Sequence, residues 1–130
     1  MNPVVHFELP YSDAERAMKF YEEVFGWKTN RLGPEMGDYI LVTTATTDVR
    51  KGEPAGAIGG GLYPKQADTP YQYPSLVIGV EDVETHRHKI TEHGGKVLGE
   101  PHEIPGTGIY LSFADTEGNR NSILEPTHMD

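Results

Sequence analysis

The chain has 130 residues, of which 36% are hydrophobic, enough for one modest core in a single domain. Twenty Asp and Glu against eleven Lys and Arg give a formal charge of −9, and no basic cluster offsets it, which argues against nucleic acid and anionic membranes as partners. The absence of cysteine excludes a disulfide framework, a thiolate metal site and a cysteine nucleophile.

In chain order, Val4, Val5, Phe7 and Leu9 alternate with His6 and Glu8, which is a strand with one apolar face and one polar face. Pro10 is expected to end it, since proline has no N–H for a ladder. Ser12 is expected to cap the next helix, with Glu15 completing a capping box. Ala14, Ala17, Met18, Tyr21, Val24 and Phe25 recur at helical spacing and predict one buried stripe, stopped by Gly26. Strands are expected at 27–31 and 38–44, separated by a Gly- and Pro-containing turn at 32–37. A polar loop over 46–54 leads to a strand over 55–64, where Gly59, Gly60 and Gly61 read as room for a close approach. No apolar run approaches the length of a membrane span, and no basic segment leads into an apolar one near residue 1, so the expected location is the cytoplasm.

From residue 74 the pattern starts again. A strand over 75–80 precedes a helix capped by Asp82, with Val83, His86, Arg87 and Ile90 as its stripe and Gly94 and Gly95 as its stop. On this reading His86 and His93 cover the stripe and His88 is exposed. Then come a strand over 96–99, a loop over 101–108 that holds His102, and a strand over 109–114. A turn at Asp115, Gly118 and Asn119 and a last strand over 120–125 complete the half, and His128 falls in the tail. Both halves read strand, helix, strand, strand, strand. Asp13 aligns with Asp82, Gly26 with Gly95 and Tyr39 with Tyr110. The expected organisation is one domain, with module one over 3–64, a linker over 65–73, module two over 74–126 and a tail over 127–130.

His6 stands seven residues before Asp13, the helix closes on Phe20-Tyr21 and Phe25-Gly26, and a turn built on Asp115, Gly118 and Asn119 lies before the last strand. On these residues the chain resembles the vicinal oxygen chelate superfamily, which includes glyoxalases, bleomycin-resistance proteins and extradiol dioxygenases. The resemblance implies an α+β fold in which two βαβββ modules form a curved mixed sheet around a cleft, with the helices outside. It also implies a small-molecule ligand and a homodimer. The metal-dependent members hold a divalent ion with His and Glu on the cleft strands. Carried over, the family pattern places those ligands at His6, Gly60, Ser75 and Ser122. Three of the four are not ligands: glycine has no donor, and a neutral serine is a poor one for such ions. Glu125 lies three residues beyond Ser122, so strand alternation turns it to the other face. No metal or other cofactor is therefore expected, a divalent ion being the alternative.

His6 and Glu8 share a strand face about 7 Å apart, close enough to flank one small group. They are the candidate catalytic pair, as a general base with a nearby carboxylate, or else they anchor partners from the other module. Tyr39, Gly60, Ser75, Tyr110, Ser112 and Ser122 are the candidate ligand-binding residues. Hydroxyls among apolar walls suit a small-ligand site, although core packing would also account for the tyrosines. The expected function is small-molecule binding of the glyoxalase and bleomycin-resistance type, without a family-type metal. The alternative is a lactoylglutathione lyase-like lyase or isomerase, with an altered metal site or metal-independent His6 and Glu8 chemistry. A third reading is an interaction module with no ligand of its own.

Overall fold

The computed structural model describes residues 1–45 and 58–127. The loop expected over 46–54, the start of the strand expected from residue 55, and His128 lie outside the described residues. The fold is α+β, with two compact units: His6–Pro74, and Met1–Val5 together with Ser75–Asp130.

The first unit holds most of β1 (Val4–Tyr11), α1 (Ala14–Phe25), β2 (Lys28–Arg31), β3 (Ile40–Thr43) and β4 (Gly60–Pro64). Its strands run in the order β2-β3-β4-β1. β1 is parallel to β4, and the other neighbours are antiparallel. Alternation sends Phe7, Leu9 and Tyr11 toward α1, where they meet Ala14, Ala17 and Met18 around Ile40, Val42 and Leu62. His6 and Glu8 are left on the other face.

Four local expectations need correcting here. Pro10 does not end β1. The Tyr11 carbonyl accepts from Lys65 N at 2.8 Å, so alternation turns the proline nitrogen away from β4 and no bond to that strand is lost. Ser12 is exposed and does not cap α1. Asp13 does, with extended dihedrals and Oδ1 accepting from Arg16 N at 3.1 Å. A carboxylate at that end also meets the helix dipole favourably. Val24 and Phe25 are exposed, because Trp27 takes the space beneath the last helical turn. Its ring stacks on Tyr21 at 4.7 Å and lies 5.6 Å from Phe7. The strand expected from residue 38 begins at Ile40, since Gly37 and Asp38 both have positive φ.

The second unit repeats the topology with β5 (Ser75–Gly79), α2 (Val83–Glu92), β6 (Lys96–Ile104), β7 (Gly108–Ala114) and β8 (Arg120–Pro126). The order is β5-β8-β7-β6, with β5 parallel to β8 and the rest antiparallel. Val80, Val83, Leu111 and Ile123 form its core, with Ile78, Ile90, Val97, Ile109 and Phe113 packed around them. Residues 1–5 pack with this unit. Gly79 N donates to Pro3 O at 2.9 Å, and His86 Nε2 lies 3.2 Å from Asn2 Oδ1.

Asp82 caps α2, accepting from Glu84 N at 3.0 Å, so Asp13 and Asp82 hold equivalent places. At the far end the left-handed residue is Gly94 (φ 94°), where the repeat suggested Gly95. His93 is exposed and covers no stripe. β6 continues into the segment expected to be a loop, as far as Ile104, leaving a turn only over 105–107. It accommodates Pro101 with a register shift between Leu98 and His102, helped by Gly99 at φ 87°. His102 is therefore a strand residue, opposite Tyr110, with ring centroids 5.4 Å apart. Asp115 closes the last turn by accepting from Asn119 N and Glu117 N, each at 2.9 Å. The hydrogen bonds from Asn119 hold its carboxyl below the usual range.

The cap assignment is directly testable. Asp13→Ala should lower the unfolding free energy by about 1 kcal/mol, while Ser12→Ala should stay within about 0.5 kcal/mol of the parent, both read from urea denaturation.

Candidate functional site

The first polar cluster is built on Tyr39. A short 3-10 turn (Pro34–Met36), followed by Gly37 at φ 68° and Asp38 at φ 54°, reverses the chain just before β3. The Tyr11 hydroxyl donates to the Asp38 carbonyl at 2.7 Å, and Leu32 N donates to the Tyr39 carbonyl at 2.8 Å. Tyr39 is thereby held with its ring edge over Gly61 of β4 and its hydroxyl reaching β1. Its hydroxyl donates to Glu8 Oε2 at 3.0 Å, and His6 Nε2 lies 3.0 Å from that hydroxyl's oxygen. The small group that His6 and Glu8 flank is thus the phenol of Tyr39.

Glu8 is buried, so its carboxylate needs donors, and Tyr39 is one. His6 is half-buried, and desolvation pulls its imidazole below its ordinary value against the opposing pull of Glu8. A neutral imidazole is the form a general base requires.

The glycines of β4 divide their work. Register pairs Gly60 with Phe7 and Gly61 with Glu8. A Cβ at Gly60 would overlap the Phe7 ring on the core face, and a Cβ at Gly61 would overlap the Tyr39 hydroxyl. The position on the His6 and Glu8 face is therefore Gly61. Gly60 is corrected from ligand-binding candidate to core spacer, because strand alternation points it the other way.

The second cluster gathers the remaining candidates. Register places Ser112 opposite Ser122 and Tyr110 opposite Leu124, while Leu111 and Ile123 turn to the core. Ser122 is wholly buried, and its hydroxyl donates to Tyr110 Oη at 2.6 Å. Ser112 Oγ and Ser122 Oγ are 3.2 Å apart. Arg120, which the sequence reading did not single out, organises them. It donates through Nη1 to Ser75 Oγ at 3.0 Å and through Nη2 to Tyr110 Oη at 3.0 Å and Ser112 Oγ at 3.1 Å. Its signal was available in the i+2 spacing from Ser122. Glu125 faces away as alternation requires, accepting from Val83 N at 2.9 Å at the start of α2.

The pattern of the Glyoxalase/Bleomycin resistance protein/Dioxygenase superfamily matches residues 4–123, and the chain belongs to that family. A glyoxylase-like domain-containing protein of Didymella fabae is 32% identical over 123 residues, covering 89% of this chain and 88% of the relative. The lactoylglutathione lyase of Haemophilus influenzae is 27% identical over 127 residues, covering 94% of this chain and 91% of the relative. A solved methylmalonyl-CoA epimerase from Mycobacterium tuberculosis matches with a TM-score of 0.69 at 13% identity, over 96% of this chain and 88% of that one. This last likeness is one of fold.

Members of this superfamily often use a divalent metal, but the donor set here does not fit one. His6 Nε2 faces the Tyr39 hydroxyl, and Gly61 offers no side chain. Ser75 accepts from a guanidinium, and Ser122 donates to Tyr110. A fixed positive charge beside a ligand position repels a cation. Among the described residues no three His, Asp or Glu side chains converge to hold an ion.

Two measurements follow from this geometry. Because His6 titrates lower when folded, the unfolded chain binds more protons as the pH falls below 6.5. Stability is then complete above pH 6.5 and is lost as the pH drops toward the folded midpoint of His6. His6→Gln should flatten the stability curve in that window, and NMR titration should place the His6 midpoint below 6.5. Arg120→Ala strips the donor shared by Ser75, Tyr110 and Ser112, and should cost about 1–3 kcal/mol of unfolding free energy, with Arg120→Lys losing less.

Proposed function

We propose that this chain binds a small molecule against the His6, Glu8 and Tyr39 face without a family-type divalent ion. One observation carries the reading. His6 and Glu8 converge on a single phenol at 3.0 Å each, beside a glycine that leaves room for that phenol and supplies no metal donor. The site is polar and partly desolvated, which suits orienting a ligand by hydrogen bonds. The names of the relatives are consistent with a small-molecule ligand of the glyoxalase type.

A second reading, proton transfer with His6 as the base, is favoured by its lowered proton affinity and by the carboxylate that the same phenol bridges to it. It needs no ion.

The test is a thermal-shift screen of small metabolites run with and without EDTA, since a ligand that binds the native state raises its melting temperature. Hits should survive the chelator and disappear in His6→Ala and Glu8→Gln. A shift that EDTA abolishes, or one that both variants retain in full, would sink the proposal.

A further inference from the structure

We propose that Tyr39 is a positioning residue that fixes His6 as its Nε2–H tautomer, so that the nitrogen of His6 free to take a proton is Nδ1. This rests on the proton-transfer reading above.

A phenol carries one proton, and a carboxylate oxygen can only accept. Glu8 Oε2 lies 3.0 Å from the Tyr39 oxygen, so the phenol proton sits between those two atoms. The contact between His6 Nε2 and the same oxygen, also 3.0 Å, is then a hydrogen bond only if the imidazole donates. A neutral ring that donates through Nε2 keeps its lone pair on Nδ1. Reversing the phenol proton would set two acceptor oxygens 3.0 Å apart at a buried carboxylate and lose the hydrogen bond between them. The arrangement depends on Gly61, because any side chain there would displace the Tyr39 hydroxyl.

The consequence for chemistry is directional. When Nδ1 takes a proton from a ligand, the ligand keeps the electron pair and the ring becomes an imidazolium. That cation is held through Nε2–H to Tyr39 and onward to Glu8. An orientation set this way resembles the role of a carboxylate that holds a catalytic histidine in one tautomer, with a phenol interposed.

The tautomer is read on the free protein from long-range proton–nitrogen NMR correlations of the imidazoles, above the His6 titration, with His6→Ala assigning the signals. The wild type should show one His6 tautomer, protonated at Nε2. Tyr39→Phe should lose that single state and give a mixture, and Gly61→Ala should do the same although it keeps the phenol. Backbone amide spectra establish that each variant is folded, and any variant that is not is replaced by Tyr11→Phe, which loosens Tyr39 through Asp38. The reactive atom is then mapped with bromoacetate, whose carbon bonds to the unprotonated nitrogen as bromide leaves. The peptide carrying His6 should hold the Nδ1-carboxymethyl isomer, shifting toward the Nε2 isomer in Tyr39→Phe. An Nδ1–H ring in the wild type, or a tautomer and an alkylation site that ignore Tyr39→Phe, would overturn the assignment. Neither readout requires the natural ligand, so a failed metabolite screen and a failed tautomer assignment are separate results.

Discussion

Each unit of this protein has a sheet whose face away from the helix carries buried polar groups, and such groups must be paired. In both units a tyrosine hydroxyl does much of the pairing. Tyr39 joins Glu8 and His6 in the first, and Tyr110 joins Ser122 and Arg120 in the second. A phenol suits the task because one oxygen can both donate and accept while its ring packs against apolar neighbours. Removing such a bridge leaves a buried carboxylate or hydroxyl short of a partner, which costs more than the bond itself contributes.

This pairing also occupies the side chains at the positions where family members carry metal ligands. A divalent ion would need anionic or imidazole donors with free positions around it. Here the hydroxyls of Ser75 and Ser122 belong to a network around a guanidinium, the third position, Gly60, makes room for the Phe7 ring, and its neighbour Gly61 clears space for a phenol. The fourth, His6, is turned toward that phenol. The family architecture is kept and the donor set is changed, which directs attention to hydrogen bonding and proton transfer.

The glycine-rich stretch of β4 illustrates how one strand serves both faces. Gly60 admits the Phe7 ring to the core, and Gly61 admits Tyr39 to the polar side. Adjacent residues on a strand point oppositely, so two neighbouring glycines remove side chains from two different environments. A shift of one position along a strand therefore moves a residue to the other face, which is why Gly60 and Gly61 clear space for different rings.

The residues alone determined the repeated strand and helix order, the polar pairing of His6 with Glu8 on one strand face, the serines at positions 75, 112 and 122, and the turning away of Glu125. These follow from periodicities that act within a few residues. The tertiary structure decided what no local pattern encodes. It set Tyr39, 31 residues from Glu8, as the bridge between the candidate catalytic pair, and Arg120 as the hub of hydroxyls drawn from two other strands. It also chose Asp13 over Ser12 as the cap and carried β1 through Pro10. In each case the deciding contact lies between segments distant in the chain, or turns on the dihedral angles and hydrogen-bond direction of one residue, and these are settled only once the strands have found their register.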